Sequence, residues 1–315
     1  MTAPPTLDEV RREAARIGFV ACGAARLDPS RRGEALDAWL ARGYAGTMGY
    51  LPRQARKRKA PGTITPGAVT AIVVLENYTP AEGIVADPSE AFHVAAYARG
   101  TDYHLVTHGR LHRLSEWLKA RGARVAHTWV DDGPVPEREL AERAGLGWIG
   151  KNTMLIHPRL GSFTLIGSVF TELTFAEETP AEADLCGSCT RCLDACPTGA
   201  LPAPRLLDAT RCISYLTIEQ RAEPSAELAA ALQGWAFGCD ICNTVCPWNV
   251  KFATATAVPE FADRRDPDRH DPAAFERMDE AEFRRRHADT PLARPGLDRM
   301  RRNVRLAVAS QATRS

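Results

Sequence analysis

Cys186-Gly-Ser-Cys189-Thr-Arg-Cys192-Leu-Asp-Ala-Cys196-Pro197, followed by Cys239-Asp-Ile-Cys242-Asn-Thr-Val-Cys246-Pro247, decides how the rest of this chain is read. Eight of the nine cysteines lie between Cys186 and Cys246, and Cys212 stands alone between the two runs. A C-x2-C-x2-C-x3-C-P run gathers thiolates around inorganic iron–sulfur cores: its first three cysteines bind one cluster and its fourth reaches over to a second. One-electron chemistry is therefore the first implication of the sequence.

Two 4Fe-4S clusters take eight thiolates, four each. By the crossover rule Cys186, Cys189 and Cys192 bind the first cluster, with Cys246 as its fourth ligand. Cys196, Cys239 and Cys242 then belong to the second. A two-cluster ferredoxin carries a third closely spaced cysteine just ahead of the position of Cys239; that place is empty here, and Cys212 is assigned as the displaced ligand. Zinc also takes C-x2-C pairs, but its sites close at four ligands and need no C-x3-C-P ending. Disulfides are a third reading, disfavoured in a reducing compartment. Cys22, inside Gly18-Phe-Val-Ala-Cys22-Gly, reads as a small buried hydrophobe.

The 315 residues suit two domains, or one with an elaboration. An apolar fraction of 44% and a charged fraction of 25% are those of a soluble globular protein. No apolar run approaches the roughly 18 residues that span a bilayer. Met1-Thr-Ala-Pro-Pro-Thr-Leu-Asp-Glu9 lacks the apolar core of a signal peptide, so a cytoplasmic location is expected. A net charge of +1 leaves nucleic-acid binding to local patches. One is Arg53-Gln-Ala-Arg56-Lys57-Arg58-Lys59. The other gathers Arg284, Arg285 and Arg286 with Arg299, Arg301, Arg302 and Arg305. Either patch can also be read as a solvated helix face.

Helical and strand patterns alternate ahead of the cysteines. Thr6-Leu-Asp-Glu9 is a capping box, and Leu7, Val10, Ala14 and Ile17 follow at helical spacing. Strands are expected over Phe19–Ala25, Val69–Leu75, Val125–Val130 and Phe163–Phe170. Leu111, Leu114, Trp117 and Leu118 stripe a helix that stops near Gly122, and another helix begins at Pro136 and ends near Gly145. Such alternation implies an α/β domain to about residue 175. Pro259 to Pro272 reads as a linker, and helical patterning returns over 273–310.

A chain this long has room for an acceptor or a catalytic centre beside the clusters. It contains neither a G-x-G-x-x-G dinucleotide loop nor a G-x4-G-K-S/T phosphate loop. Asp102-Tyr-His104-Leu-Val-Thr107 misses the final glycine of D-x-H-x-x-G, the motif that places histidine beneath cobalamin in some enzymes, so histidine-ligated cobalamin is not expected. The stretch from Asp131 to Thr153 is more suggestive. Asp131 ends a strand, where open α/β sheets bind ligands and an acid is well placed. Gly147-Trp-Ile-Gly150 lets backbone approach a large ligand closely. The alternative stays open: Asp131 caps the next turn, and the glycines permit a tight bend.

The same residues resemble a known family. Val130-Asp131, Pro134-Val135, Glu137-Arg-Glu-Leu-Ala141 and Ala144-Gly-Leu-Gly-Trp-Ile-Gly-Lys-Asn-Thr153 are similar to the signature of epoxyqueuosine reductases. So are Tyr97-Ala-Arg-Gly-Thr-Asp-Tyr-His104, Met48-Gly-Tyr-Leu51 with Arg53, Cys212-Ile-Ser-Tyr-Leu-Thr-Ile-Glu219, Gly238-Cys-Asp-Ile-Cys242 and Cys246-Pro-Trp-Asn249. The likeness covers residues 6 to 310. It implies a cobalamin-dependent oxidoreductase that performs the last step of queuosine synthesis. The family reduces epoxyqueuosine at the wobble position of tRNA, with electrons passing from two 4Fe-4S clusters to cobalamin that has no histidine ligand. The catalytic acid of the family maps onto Asp131. Arg53, Lys151, Asn152, Ser162 and Ser214, all inside matching motifs, are candidates to hold cobalamin.

The architecture so implied has three parts. Residues 1–175 form an α/β cobalamin-binding domain, residues 176–255 a ferredoxin-like domain with two 4Fe-4S clusters, and residues 256–315 a linker and short helical C-terminal segment that contacts tRNA. An external low-potential electron donor, a monomer and no membrane complete the expectation. Asp132-Gly133 stands where many relatives have Ser-Ala, and longer relatives continue into HEAT-like repeats that help to hold tRNA. Two rival readings are a reductive dehalogenase-like enzyme and a ferredoxin-type electron carrier.

Overall fold

The computed structural model describes residues 4–175, 183–262 and 270–312. Its first helix, α1 (Leu7–Ile17), starts where the capping box predicts: the Thr6 amide donates to Glu9 Oε2 at 2.8 Å, and the Glu9 amide donates to Thr6 Oγ1 at 3.3 Å. Strand β1 (Ala21–Arg26), helices α2 (Gly33–Ala41) and α3 (Tyr50–Lys59), and strand β2 (Thr70–Asn77) follow. After the short strand β3 (His93–Val94) come α4 (Tyr103–Lys119), β4 (Ala126–Trp129) and α5 (Glu137–Arg143). The hairpin β5 (Trp148–Ile149) and β6 (Leu155–Ile156) precedes β7 (Thr164–Thr171).

Four strands form one sheet in the order β1-β2-β7-β4. Each adjacent pair is antiparallel, as in Ala24 opposite Ile72, Ile72 opposite Val169, and Thr128 opposite Val169. This corrects the picture of an open α/β sheet with ligands at its strand ends. Alternation of helix and strand along a sequence does not determine strand direction, which depends on how each connection returns the chain. Every residue of β2 is buried, the apolar run 71–75 together with Thr70, Glu76 and Asn77 at its ends. Ile72 and Val74 pack under α1 and α4 with Val10, Leu111, Leu114 and Leu118. Ala71, Val73 and Leu75 point the other way, onto Leu140, Ala141 and Ala144 of α5. Each such Leu, Ile or Val stabilises the fold by about 1.5–3 kcal/mol.

The helix expected around Leu111 begins eight residues earlier, at Tyr103, because Asp102 accepts from the His104 amide at 2.9 Å. Asp102 to Thr107 is therefore a capped helix start, and Thr107 is buried with its hydroxyl on Glu76.

Past Thr171 the chain makes α6 (Arg191–Asp194), α7 (Ile213–Ile218), α8 (Ala226–Ala230), strand β8 (Trp235–Phe237), α9 (Ile241–Thr244) and α10 (Pro247–Phe252). The helices α11 (Pro272–Arg277), α12 (Glu280–His287) and α13 (Leu297–Ala312) complete it. Strand β3 pairs in parallel with β8, joining the N-terminal half to the cysteine region. The segment read as a linker from Pro259 is partly core. Val258 and Phe261 are buried against α1 and α4, and the Thr101 amide donates to the Glu260 carbonyl at 2.8 Å. Two anchoring apolar side chains outweigh the polar composition around them; residues 263–269 lie outside the described residues.

Candidate functional site

The hairpin β5–β6 and the two cysteine runs enclose a cavity of about 140 Å³. Its lining includes Cys186, Cys189, Cys192 and Cys246, the set expected from the crossover spacing. Lys151 leans over the first run, donating from Nζ to the Gly187 carbonyl at 2.6 Å and the Cys189 carbonyl at 2.9 Å. Gly147 turns the chain into the hairpin with φ of 142°. A Cβ there would overlap the Ile156 carbonyl, so the glycines serve a tight bend rather than an approaching ligand. Gly147→Ala is expected to destabilise the protein by about 1–3 kcal/mol and to lower its iron content, as a melting curve and iron analysis would show.

Cys196, Cys212, Cys239 and Cys242 form a second group, deeper in the chain. Burial, then the charge of Cys242 and later of Cys212, pushes the Cys239 thiol well up. Burial, and beyond it Cys212 and Cys196, does the same to Cys242. Cys212 stands at the N-cap of α7 without a side-chain cap bond, and burial pushes its thiol up. The Cys196 sulfur lies 3.5 Å from the Thr198 hydroxyl. Among the described residues no three His, Cys, Asp or Glu side chains converge tightly enough for a single metal ion. Thiols spread around a cavity fit a cluster rather than zinc. Cys22 sits in β1 against the first core, where burial pushes its thiol up to about 12.

Asn152 and Ser162, expected among the cobalamin contacts, hydrogen-bond to the second cysteine run. Both are buried. Asn152 Nδ2 donates to the Cys242 carbonyl at 3.3 Å, Ser162 Oγ donates to Asn243 Oδ1 at 3.0 Å, and Asn249 Nδ2 donates to Ser162 Oγ at 2.8 Å. Lys151 is likewise engaged with the first run. Their motifs matched because a cysteine loop needs its backbone held as strictly as a cofactor does. Arg53 is exposed on α3, and Ser214 is half-buried beside Cys212.

Asp131 follows β4 in left-handed backbone, with φ of 50°. Its amide donates to Glu137 Oε1 at 2.7 Å, and its Oδ2 accepts from the Tyr103 hydroxyl at 2.6 Å. The turn is capped by its neighbour: Asp132 Oδ1 accepts from the Val130 amide at 3.0 Å, and Asp132 Oδ2 lies 2.8 Å from His108 Nε2. That leaves the exposed Asp131 carboxyl with the Tyr103 hydroxyl. Glu137 lies half-buried beside it, where burial and then the charge of Asp131 push its carboxyl up to about 8.

Tyr50 of α3 and Arg294 share this electrostatic neighbourhood. Arg294 follows α12 in the chain and pairs with Glu219 at 2.8 Å. Sequence reasoning missed Arg294, Glu219 and Tyr50 as site residues, because they meet only after three distant segments fold together. Tyr97 feels both Asp131 and Asp240, which lies between Cys239 and Cys242 in the chain. Its ring stands 5.9 Å from that of Tyr103. Through Tyr97 the surroundings of Asp131 adjoin the second cysteine run.

The C-terminal basic patch is largely occupied within the chain. Arg302 donates to the Leu216 carbonyl at 3.1 Å and the Arg221 carbonyl at 2.8 Å, and Arg299 donates to the Ile218 carbonyl at 3.0 Å. Arg301 donates to the Phe275 carbonyl at 3.0 Å, Arg305 pairs with Glu276 at 2.6 Å, and Arg284 pairs with Glu280 at 3.1 Å. Arg299, Arg301, Arg302 and Arg305 tie α13 to neighbouring segments, whereas the Arg284 pair lies within α12. On α3, Arg58 donates to the Val135 carbonyl at 3.2 Å and Lys59 pairs with Asp37 at 2.7 Å, while Arg53, Arg56 and Lys57 stay exposed.

Known proteins place this architecture. An epoxyqueuosine reductase of Gloeobacter violaceus is 38% identical over 316 residues, covering 97% of each chain. This chain belongs to the epoxyqueuosine reductase family. A family model described as epoxyqueuosine reductase QueG matches residues 58–132, and one described as a 4Fe-4S double cluster binding domain matches residues 185–249, spanning all eight clustered cysteines. A crystal structure of an epoxyqueuosine reductase with a tRNA-Tyr epoxyqueuosine-modified stem loop superposes with a TM-score of 0.87 at 30% identity, covering 96% of this chain and 81% of that one. The epoxyqueuosine reductase of Bacillus subtilis, solved with its catalytic aspartate loop swung out of the active site, gives a TM-score of 0.85 at 29% identity, covering 97% of this chain and 82% of that one. No helix among the described residues is long and apolar enough to cross a membrane.

Proposed function

We propose that this chain reduces epoxyqueuosine in tRNA to queuosine, drawing on two 4Fe-4S clusters and cobalamin. The observation that carries this reading is the Asp131 carboxyl, held by the Tyr103 hydroxyl in a member of this family whose residues 185–249 match a 4Fe-4S double cluster binding domain. Cys186, Cys189, Cys192 and Cys246 hold the cluster nearer the surface; Cys196, Cys212, Cys239 and Cys242 hold the inner one. Turning an epoxide into an alkene takes two electrons and two protons, and the oxygen leaves as water. Bound cobalamin supplies a low-potential metal electron donor, and the chain supplies orientation and protons.

Asp131 protonates the departing oxygen. Tyr103 holds its Oδ2 at 2.6 Å and so aims the carboxyl. Glu137, pushed up to about 8, stays protonated near neutrality and provides the second proton beside it. Because the protonated form is the active one, turnover is expected to hold below a pH of about 8 and to fall above it. Glu137→Gln lowers the rate and removes that alkaline limb; an unchanged limb would assign the second proton elsewhere.

Arg53, Arg56 and Lys57 on the exposed face of α3 contact tRNA phosphates, and Arg53, Lys151, Asn152, Ser162 and Ser214 are candidates for cobalamin. Affinity for the anticodon arm is expected to fall as salt rises, with a shallower slope once Arg53, Arg56 and Lys57 are neutralised. Affinity indifferent to salt would remove the phosphate role. A monomer served in the cytoplasm by an external low-potential donor completes the proposal, with residues 1–175 binding cobalamin, 176–255 the clusters, and 256–315 approaching tRNA. The deciding experiment supplies chemically reduced, cluster-reconstituted protein with epoxyqueuosine-containing tRNA, with and without cobalamin. Conversion only with cobalamin supports the reading; no conversion with both cofactors loaded defeats it.

A further inference from the structure

Trp148 retains only 1% of its surface, and its indole N–H donates to the Cys186 sulfur at 3.4 Å. That sulfur is its one hydrogen-bond partner among the described residues. A buried indole N–H normally finds an acceptor, and this one has been given a thiol of the outer cysteine set. Its placement is rigid. Trp148 lies opposite Ile156 in the β5–β6 hairpin, and Gly147 fixes the turn before it. The ring of Trp248 meets it edge-on with centroids 4.9 Å apart. Trp148, Ile156, Cys246, Cys186 and Trp248 form one small apolar cluster.

We propose that the Trp148 indole N–H tunes the reduction potential of the cluster held by Cys186, Cys189, Cys192 and Cys246, raising it above the value its apolar collar alone would set. This rests on the iron–sulfur reading above. Reduction adds one electron, and no proton, to a core already surrounded by thiolates. Apolar packing disfavours the added negative charge, whereas an N–H dipole aimed at a ligand sulfur favours it. Lys151 adds positive charge nearby, but its ammonium is held by the carbonyls of Gly187 and Cys189 rather than by a sulfur. The other set has the Thr198 hydroxyl beside Cys196 instead. The indole therefore acts on one of the two clusters, the one whose cavity opens towards the exposed Leu185 and the external donor. It keeps that port reducible despite its dry surroundings.

The test is a redox titration of the whole protein with reconstituted clusters, followed by electron paramagnetic resonance. Trp148→Phe keeps an aromatic ring against Trp248 and removes only the N–H. One cluster's midpoint should move to more negative potential while the other stays in place. Two unchanged midpoints, or an upward shift of the kind that admitted water would produce, overturn the inference. Absence of cluster signals from the unaltered protein sinks the iron–sulfur reading, and this inference with it. Should Trp148→Phe lose iron, the Trp248→Phe protein labelled with indole ¹⁵N decides the matter: a hyperfine coupling from tryptophan nitrogen to a reduced cluster is expected, and its absence overturns the proposal.

Discussion

Cys212→Ala will lower the iron content of the reconstituted chain from about eight atoms to about four and abolish turnover. Cys212 stands sixteen residues from Cys196 and outside both cysteine runs, so local spacing alone gives it no partner. The fold supplies one. Cys212 stands at the N-cap of α7, and its sulfur lies within the electrostatic reach of Cys196, Cys239 and Cys242. Three thiolates left around a buried core cannot close a cubane, and the uncompensated charge there is costly. The first cluster should survive, since Cys186, Cys189, Cys192 and Cys246 line a separate cavity. Cys22→Ala is the control and should keep all of its iron, because Cys22 lies in β1 against the apolar core. Iron and sulfide analysis separates the outcomes; full iron in the Cys212 variant would remove Cys212 from the second quartet.

Asp131→Asn should lower turnover by about 10²–10⁴-fold, the range a positioned acid contributes, while both clusters and cobalamin stay bound. The amide has nearly the shape of the carboxyl and can still accept from the Tyr103 hydroxyl, so the 2.6 Å contact that aims it is retained. What is lost is the transferable proton. Left-handed backbone with φ of 50° at this position suits Asn as well as Asp, so the substitution adds little strain. A single-turnover assay on stem-loop RNA, beside the absorption spectrum of the loaded protein, distinguishes lost chemistry from lost cofactor. Near-normal turnover would move the acid to another residue, with Glu137 first in line.

The two cysteine groups were legible in the sequence because cluster ligation is written in short spacings, and little chemistry besides iron–sulfur ligation calls for such a thiolate run. Asp131 was legible as a motif position, but its freedom was not. Only the folded turn shows Asp132 taking the capping bond from Val130, which leaves its neighbour's carboxyl to the Tyr103 hydroxyl. Lys151, Asn152 and Ser162 are a different case. They sit in strongly patterned sequence, yet their hydrogen bonds hold cysteine loops. The arginines near the C-terminus make bonds that the sequence does not show. Charge is visible in a sequence, whereas the carbonyls and carboxylates that absorb it, such as those met by Arg299, Arg302 and Arg305, come from segments dozens of residues away.

By itself the sequence determined the redox character of this protein, the spacing that divides its clustered cysteines into two sets, and the helices announced by capping and apolar stripes. These follow from interactions between near neighbours, where residue type and spacing suffice. The tertiary structure alone decided the antiparallel sheet, the seating of Val258 and Phe261 in the core, the meeting of Tyr50, Arg294 and Glu219 near Asp131, and the indole N–H directed at Cys186. Those depend on burial and on partners far apart in the chain, and no local pattern records which distant surface a side chain will meet.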